Sequence, residues 1–162
     1  MNSEQDYTSA GTPSPEQVED GIHRSQDFTV GHWDMYDGEE KIAEFVNDLV
    51  LGGRAISQRM DIAAGGSAIG LTAYSPALKV WHYLLTSDVG ITTLFTGIVT
   101  SPGDAHYTTQ APLDDGRTKH RKWSLTLKPD GNVRELSVAS EDDSQTWTTE
   151  YDLLWVKHES KL

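Results

Sequence analysis

From Phe28 onward, large apolar and small polar residues alternate in short blocks, each closed by a turn signal. "FTVGHWDMY" stops at Asp37-Gly38, "RAISQRMDI" lies between Gly52-Gly53 and Gly65-Gly66, and "AIGLTAYS" stops at Ser75-Pro76. "KVWHYLLTS", "ITTLFTGIV", "AHYTTQA", "RKWSLTLK" and "VRELSVAS" follow, divided by Asp88-Val89-Gly90, Ser101-Pro102-Gly103, Asp114-Asp115-Gly116 and Pro129-Asp130-Gly131. "TWTTEYDLLWVK" closes the series. A two-residue period aims alternate side chains at opposite faces of a strand. Blocks rich in Thr, Val, Trp and Tyr, joined by hairpin turns, predict an antiparallel sheet.

One block reads two ways. In "EEKIAEFVNDLVLGG" the spacing of Ile42, Phe45, Val46 and Leu49 also suits a helix face. A strand with an irregular entry is expected there. About nine strands in one amphipathic sheet favour closure, because a closed barrel leaves no exposed edge. The expected fold is therefore all-β, an antiparallel up-and-down barrel over residues 26–162 with an internal cavity. Residues 1–25 read as a polar tail too poor in apolar groups to offset its ordering entropy. Within the tail, "SPEQVEDGIHR" has the signature of a short helix, with Ser14 as N-cap and Pro15 at the first helical position.

Composition narrows the function classes. The 162 residues include no cysteine, which removes disulfides, thiolate catalysis and cysteine-based metal sites. A net charge of −12, from 25 acidic and 13 basic residues, opposes binding to nucleic acid or anionic membranes. The basic run "GRTKHRK" at 116–122 reads as a solvated edge. No apolar leader and no membrane-length apolar run is seen, so a cytoplasmic protein is expected, with a homodimer compatible with the sequence. There is no Gly-x-Ser-x-Gly, phosphate-binding loop or dinucleotide fingerprint; "GGSAIG" opens a strand, and no cofactor is expected.

Face counting supplies the candidate site. Trp33 and Met35 fall on one face of their block, opposite His32, Asp34 and Tyr36. Arg54, Ile56, Gln58, Met60 and Ile62 share a face, as do Trp81, Tyr83 and Leu85, then Trp123, Leu125 and Leu127. Trp147, Thr149, Tyr151, Leu153 and Trp155 form the last set. Directed inward, Trp33, Met35, Gln58, Met60, Trp81, Trp123 and Trp147 line a cavity as candidate ligand-binding residues. An inward Arg54 needs a carboxylate, a carbonyl or a bound anion, or else sits at the rim in a salt bridge. Arg54, Tyr83 and Tyr151 are the candidate catalytic residues, as groups able to polarise a carbonyl. His32 and Asp34 point the same way but outward, with no third ligand at a telling spacing, so no metal is expected. His106 and His120 are candidates for a haem ligand or general base. The acidic run "SEDDS" reads as a hairpin turn rather than a calcium site.

Four motifs in order resemble the small bacterial lipocalin-like (calycin) barrels. They are "DFTVGHWDMYD", "LVLGGRAI", "GLTAYSPALKVWHYLLTS" and "SEDDSQTWTTEYDLLWVK", spanning roughly residues 27–158. Ser75-Pro76 stands where those proteins have Asp-Pro, Asp142-Asp143-Ser144 where they have Asp-Gly-Gly, and Lys157 in place of an Arg. The resemblance implies a cavity-bearing barrel in which Trp33 plugs one end beneath Lys157. It also implies a small, largely apolar or amphipathic ligand, since relatives bind fatty acids, retinoids or haem and similar barrels act as cyclases. The expected function is binding of such a molecule, with a cofactor-independent cyclase or isomerase as the first reading. A non-catalytic carrier or sensor, or a haem-binding barrel, is the alternative.

Overall fold

The computed structural model describes residues 21–159. Ten antiparallel strands run in sequence: β1 (Gly31–Asp37), β2 (Glu40–Val50), β3 (Ala55–Ile62), β4 (Ser67–Ser75) and β5 (Val80–Ser87). They continue as β6 (Thr92–Ser101), β7 (Asp104–Pro112), β8 (Thr118–Leu127), β9 (Val133–Ser140) and β10 (Thr148–Lys157). Each strand pairs with its neighbours in the chain, and β1 pairs with β10 to close the barrel. No helix among the described residues is long and apolar enough to cross a membrane. The ambiguous segment is β2, held as a strand because β1 and β3 pair along both of its edges. Its inward residues are Ala43, Phe45 and Asn47, and a register shift against β1 at Met35/Tyr36 is its irregular entry.

One end of the barrel is plugged by the chain leading into it. Short 3-10 turns at Ile22–Arg24 and Asp27–Thr29 lie across that end, with Gln26 and Thr29 buried. Trp33, with no exposed surface, donates its indole N–H to the Thr29 carbonyl at 2.8 Å. Asn47 donates to the same carbonyl at 2.9 Å, and the Gln26 side-chain amide donates to the Tyr107 hydroxyl. The Lys157 ammonium stands 3.6 Å above the Trp33 ring centroid and donates to the Val30 carbonyl at 3.0 Å. Such a cation–π contact is worth about 0.5–2 kcal/mol. Most of the tail, and most of the helix expected from Ser14, lie outside the described residues.

Aromatic side chains fill the interior. Trp123 packs on Tyr107, Tyr83 and Phe95 at centroid distances of 5.0, 5.2 and 5.2 Å, and Phe45 meets Trp155 edge-on at 4.8 Å. Two tyrosines need glycine beside them. A Cβ on Gly97 would lie 2.6 Å from the Tyr107 ring and 2.2 Å from the His106 carbonyl, and one on Gly70 would lie 2.7 Å from the Tyr83 ring.

Candidate functional site

The barrel interior holds a buried acid that face counting alone does not reveal. On β9 the inward residues are Val133, Glu135, Ser137 and Ala139, while Leu136 and Val138 point outward. The Glu135 carboxylate accepts the Trp123 indole N–H on one oxygen at 2.9 Å and the Trp155 indole N–H on the other at 2.7 Å. No lysine, arginine or histidine pairs with it among the described residues. Burial away from water pushes its carboxyl above the usual range, and the two indoles and Tyr151 only partly offset this. A group with this pKa direction holds its proton to higher pH than an exposed glutamate.

Around Glu135 lies a cavity of about 60 Å³, lined by Met35, Gln58, Met60, Tyr83, Tyr151 and Trp155 among others. A second, of about 20 Å³, lies toward the plugged end beside Gln26, Asn47 and Tyr107. Between them the Tyr83 hydroxyl donates to the Gln58 side-chain carbonyl at 2.6 Å. Burial first, then the nearby Glu135, pushes the Tyr83 hydroxyl far up, so it remains a donor at any physiological pH. Ligand pockets for drug-sized molecules run to about 300–1,000 Å³. The packed interior therefore has room for a few waters, and anything larger must displace the half-buried Met60, Leu85 and Tyr151. Methionine, with three rotatable bonds, yields most readily.

The end opposite the Trp33 plug is charged. Lys119 and Arg121, at the start of β8, both reach Glu150, at 2.6 Å from the Lys119 ammonium and through the Arg121 guanidinium, and Ser137 donates to the same carboxylate at 2.9 Å. Arg121, opposed by burial and aided by Lys119 and Ser137, holds the Glu150 carboxyl down to about 2. The basic run is thus not simply solvated: two of its residues face Glu150, while Lys122 lies outside.

Several candidates sit where the alternation placed them. Trp33, Met35, Gln58, Met60, Trp81, Tyr83, Trp123 and Tyr151 face inward, with Trp81 below the main cavity near Tyr74. Three expectations need correction. Arg54 is not in the cavity: Leu51, Gly52 and Gly53 form a left-handed turn, and Arg54 follows it in a helical conformation before β3 begins at Ala55. Trp147 lies outside, its ring 4.0 Å beneath the Lys122 ammonium, because a bulge between Thr149 and Tyr151 reverses the phase of β10. His106 and His120 fall on outward positions of β7 and β8, with His106 bonded to Asp104 at 2.8 Å, so neither reaches the interior as a haem ligand or base.

The outer surface carries two further features. A depression of about 380 Å³ between β5 and β9 is lined by Ile98, His106, Lys122, Leu136 and Val138. It is larger than either interior void, and the buried Tyr107 that borders it has its hydroxyl engaged by the Gln26 side-chain amide. The "SEDDS" run is a turn in which Asp142 accepts bonds from Ser140 at 2.7 Å and from Thr146 at 2.6 Å; these hold its carboxyl down to about 2. No protein-family model matches the chain, and no curated protein matches it.

Proposed function

We propose that the barrel is lipocalin-like and binds a small, largely apolar molecule bearing one carbonyl or hydroxyl, with Glu135 as its proton donor. The observation that carries this is the burial of Glu135, with no opposite charge paired to it among the described residues, beside a void walled by Tyr83, Gln58 and Tyr151. Perturbed acids in apolar cavities are the usual equipment of proton-transfer sites. The Trp33 plug under Lys157 supports the family reading. The ligand enters at the end rimmed by Lys119, Arg121 and Glu150, displaces Met60 and Leu85, and sets its polar group against Glu135 and Tyr83. In the reaction favoured here, Glu135 gives its proton to a carbonyl oxygen or alkene carbon. It then recovers one from the rearranged skeleton. The net change is isomerisation or cyclisation, which balances without oxidant, reductant or cosubstrate. Tyr83 and Gln58 orient the polar group, replacing Arg54 in that role.

A carrier is the second reading, favoured by the saturation of both Glu135 oxygens with indole donors. Cyclohexanone is the probe that separates the two. Quenching of tryptophan fluorescence reports its entry beside Trp123 and Trp155, and proton NMR in deuterated buffer reports exchange at its α-carbons. Binding with exchange that is lost in Glu135→Gln supports the enzyme. Binding without exchange supports the carrier. Absence of any saturable quenching, by cyclohexanone or by longer ketones and alcohols, overturns the cavity reading.

A further inference from the structure

Outside the barrel, three strands bring together donors that are far apart in the chain. His32 and Asp34 project outward from β1, and Glu44 stands opposite Asp34 on β2. His158 follows β10, where its backbone N–H donates to the His32 carbonyl at 3.0 Å. The two imidazoles stack at 3.9 Å with 19° between their planes. His32 Nε2 lies 2.8 Å from one Glu44 oxygen, His158 Nδ1 lies 3.9 Å from the other, and His158 Nδ1 lies 2.9 Å from Asp34. One donor atom from each of His32, Glu44 and His158 falls within 4.8 Å of the others.

We propose that His32, Glu44 and His158 bind a divalent first-row transition ion, of which Zn²⁺ is the reference, with Asp34 at its border. Donors around a tetrahedral ion, bonded at about 2.0–2.1 Å, stand roughly 3.3 Å apart. The spacings of 2.8 and 3.9 Å, each from one imidazole to a different Glu44 oxygen, lie on either side of that value. Binding requires the two nearly parallel rings to turn about their Cβ–Cγ bonds until both nitrogens face one point. Two imidazoles and a carboxylate select zinc, copper or nickel over calcium or magnesium, which prefer all-oxygen shells. Asp34 either completes the four-ligand set or fixes the His158 ring, as carboxylates do for metal-bound histidines.

A surface depression of about 300 Å³ abuts His32 and Glu44, giving an entry path. The cluster already attracts a cation: the Lys41 ammonium bridges Asp34 at 2.7 Å and Glu44 at 2.8 Å. Lys41 is partly exposed on a flexible stem, and an entering ion displaces it into solvent. The imidazoles and carboxylates that remain then carry two negative charges against the two positive charges of the metal.

The test uses the full chain, stripped with a chelator and titrated with ZnCl₂ by calorimetry and with Co²⁺ by visible absorption. Wild type should bind one equivalent of Zn²⁺ and develop the intense visible band of four-coordinate Co²⁺. His32→Ala and His158→Ala should each weaken Zn²⁺ binding at least about tenfold, a loss near 1.4 kcal/mol. Lys41→Met should strengthen it, because its competing ammonium is gone; a merely structural cluster has no reason to show that gain. His106→Ala, which removes a surface His–Asp pair elsewhere, should change nothing. Absence of saturable binding, or binding that survives both His32→Ala and His158→Ala, overturns the proposal.

Discussion

Glu135 and Trp155 meet inside the barrel from adjacent strands, the indole N–H of one donating to the carboxylate of the other at 2.7 Å. The contact makes Glu135 tolerable in the interior without making it comfortable. Because burial raises its folded-state pKa, the folded protein holds this proton more tightly than the unfolded chain does. Stability contributed at this position is therefore greatest below the unfolded glutamate value of about 4.3 and is lost as pH rises toward the folded pKa. Glu135→Gln loses one acceptor for two indole donors and should be less stable than wild type by about 1–3 kcal/mol in acid. That gap should narrow with rising pH. Urea denaturation of both proteins across this range checks it, and a gap independent of pH would contradict the assignment.

Glu150 has the opposite sign. Its carboxyl is held down to about 2 in the folded state, so its contribution is present above the unfolded value and disappears as pH falls from about 4.3 to about 2. Glu150→Gln should cost about 1–2 kcal/mol at neutral pH, allowing for solvent screening at the barrel end. Near the lower limit the two proteins should converge. Guanidinium denaturation at the two extremes measures the difference.

Gly70→Ala should disturb Tyr83 without altering any polar group. The new methyl would stand 2.7 Å from the Tyr83 ring, forcing it off Gln58. Overpacking of this kind costs about 1–3 kcal/mol. Loss of near-ultraviolet circular dichroism from the Tyr83–Trp123 stack should accompany the drop in denaturation midpoint.

Trp147→Ala and Trp123→Phe should separate the outside of the barrel from the inside. The first removes an exposed cation–π contact worth about 0.5–1 kcal/mol and should leave ketone binding untouched. The second deprives a buried carboxylate of a donor and should cost about 1–3 kcal/mol. It should also change ketone affinity in the fluorescence titration.

These residues show how far alternation carries. In β1, β5 and β8 the tryptophans and Tyr83 fall at alternate positions, and the pairing of β1 with β10, β5 with β4 and β8 with β7 keeps one register along its length, so Trp33, Tyr83 and Trp123 are found by counting. In β9 the apolar Leu136 and Val138 compete for the inner face, and only pairing with β8 and β10 turns Glu135 inward. The bulge in β10 carries no sequence mark strong enough to show that Trp147 and Tyr151 face opposite ways. Arg54 is lost to the strand because Leu51 takes a left-handed conformation that a leucine seldom adopts. The His32–His158 pair is invisible to any local window, since the β1–β10 seam joins positions more than a hundred residues apart.

That seam also governs how the chain must fold. Every other strand pair is a hairpin and can form as soon as its two strands exist. The β1–β10 pairing has to wait for the final strand, which places a slow, high-contact-order step last. Until then the growing sheet presents two open edges able to pair with other chains. A chain stopped before Thr148 should therefore form intermolecular sheet, leaving Trp33 exposed to its neighbours.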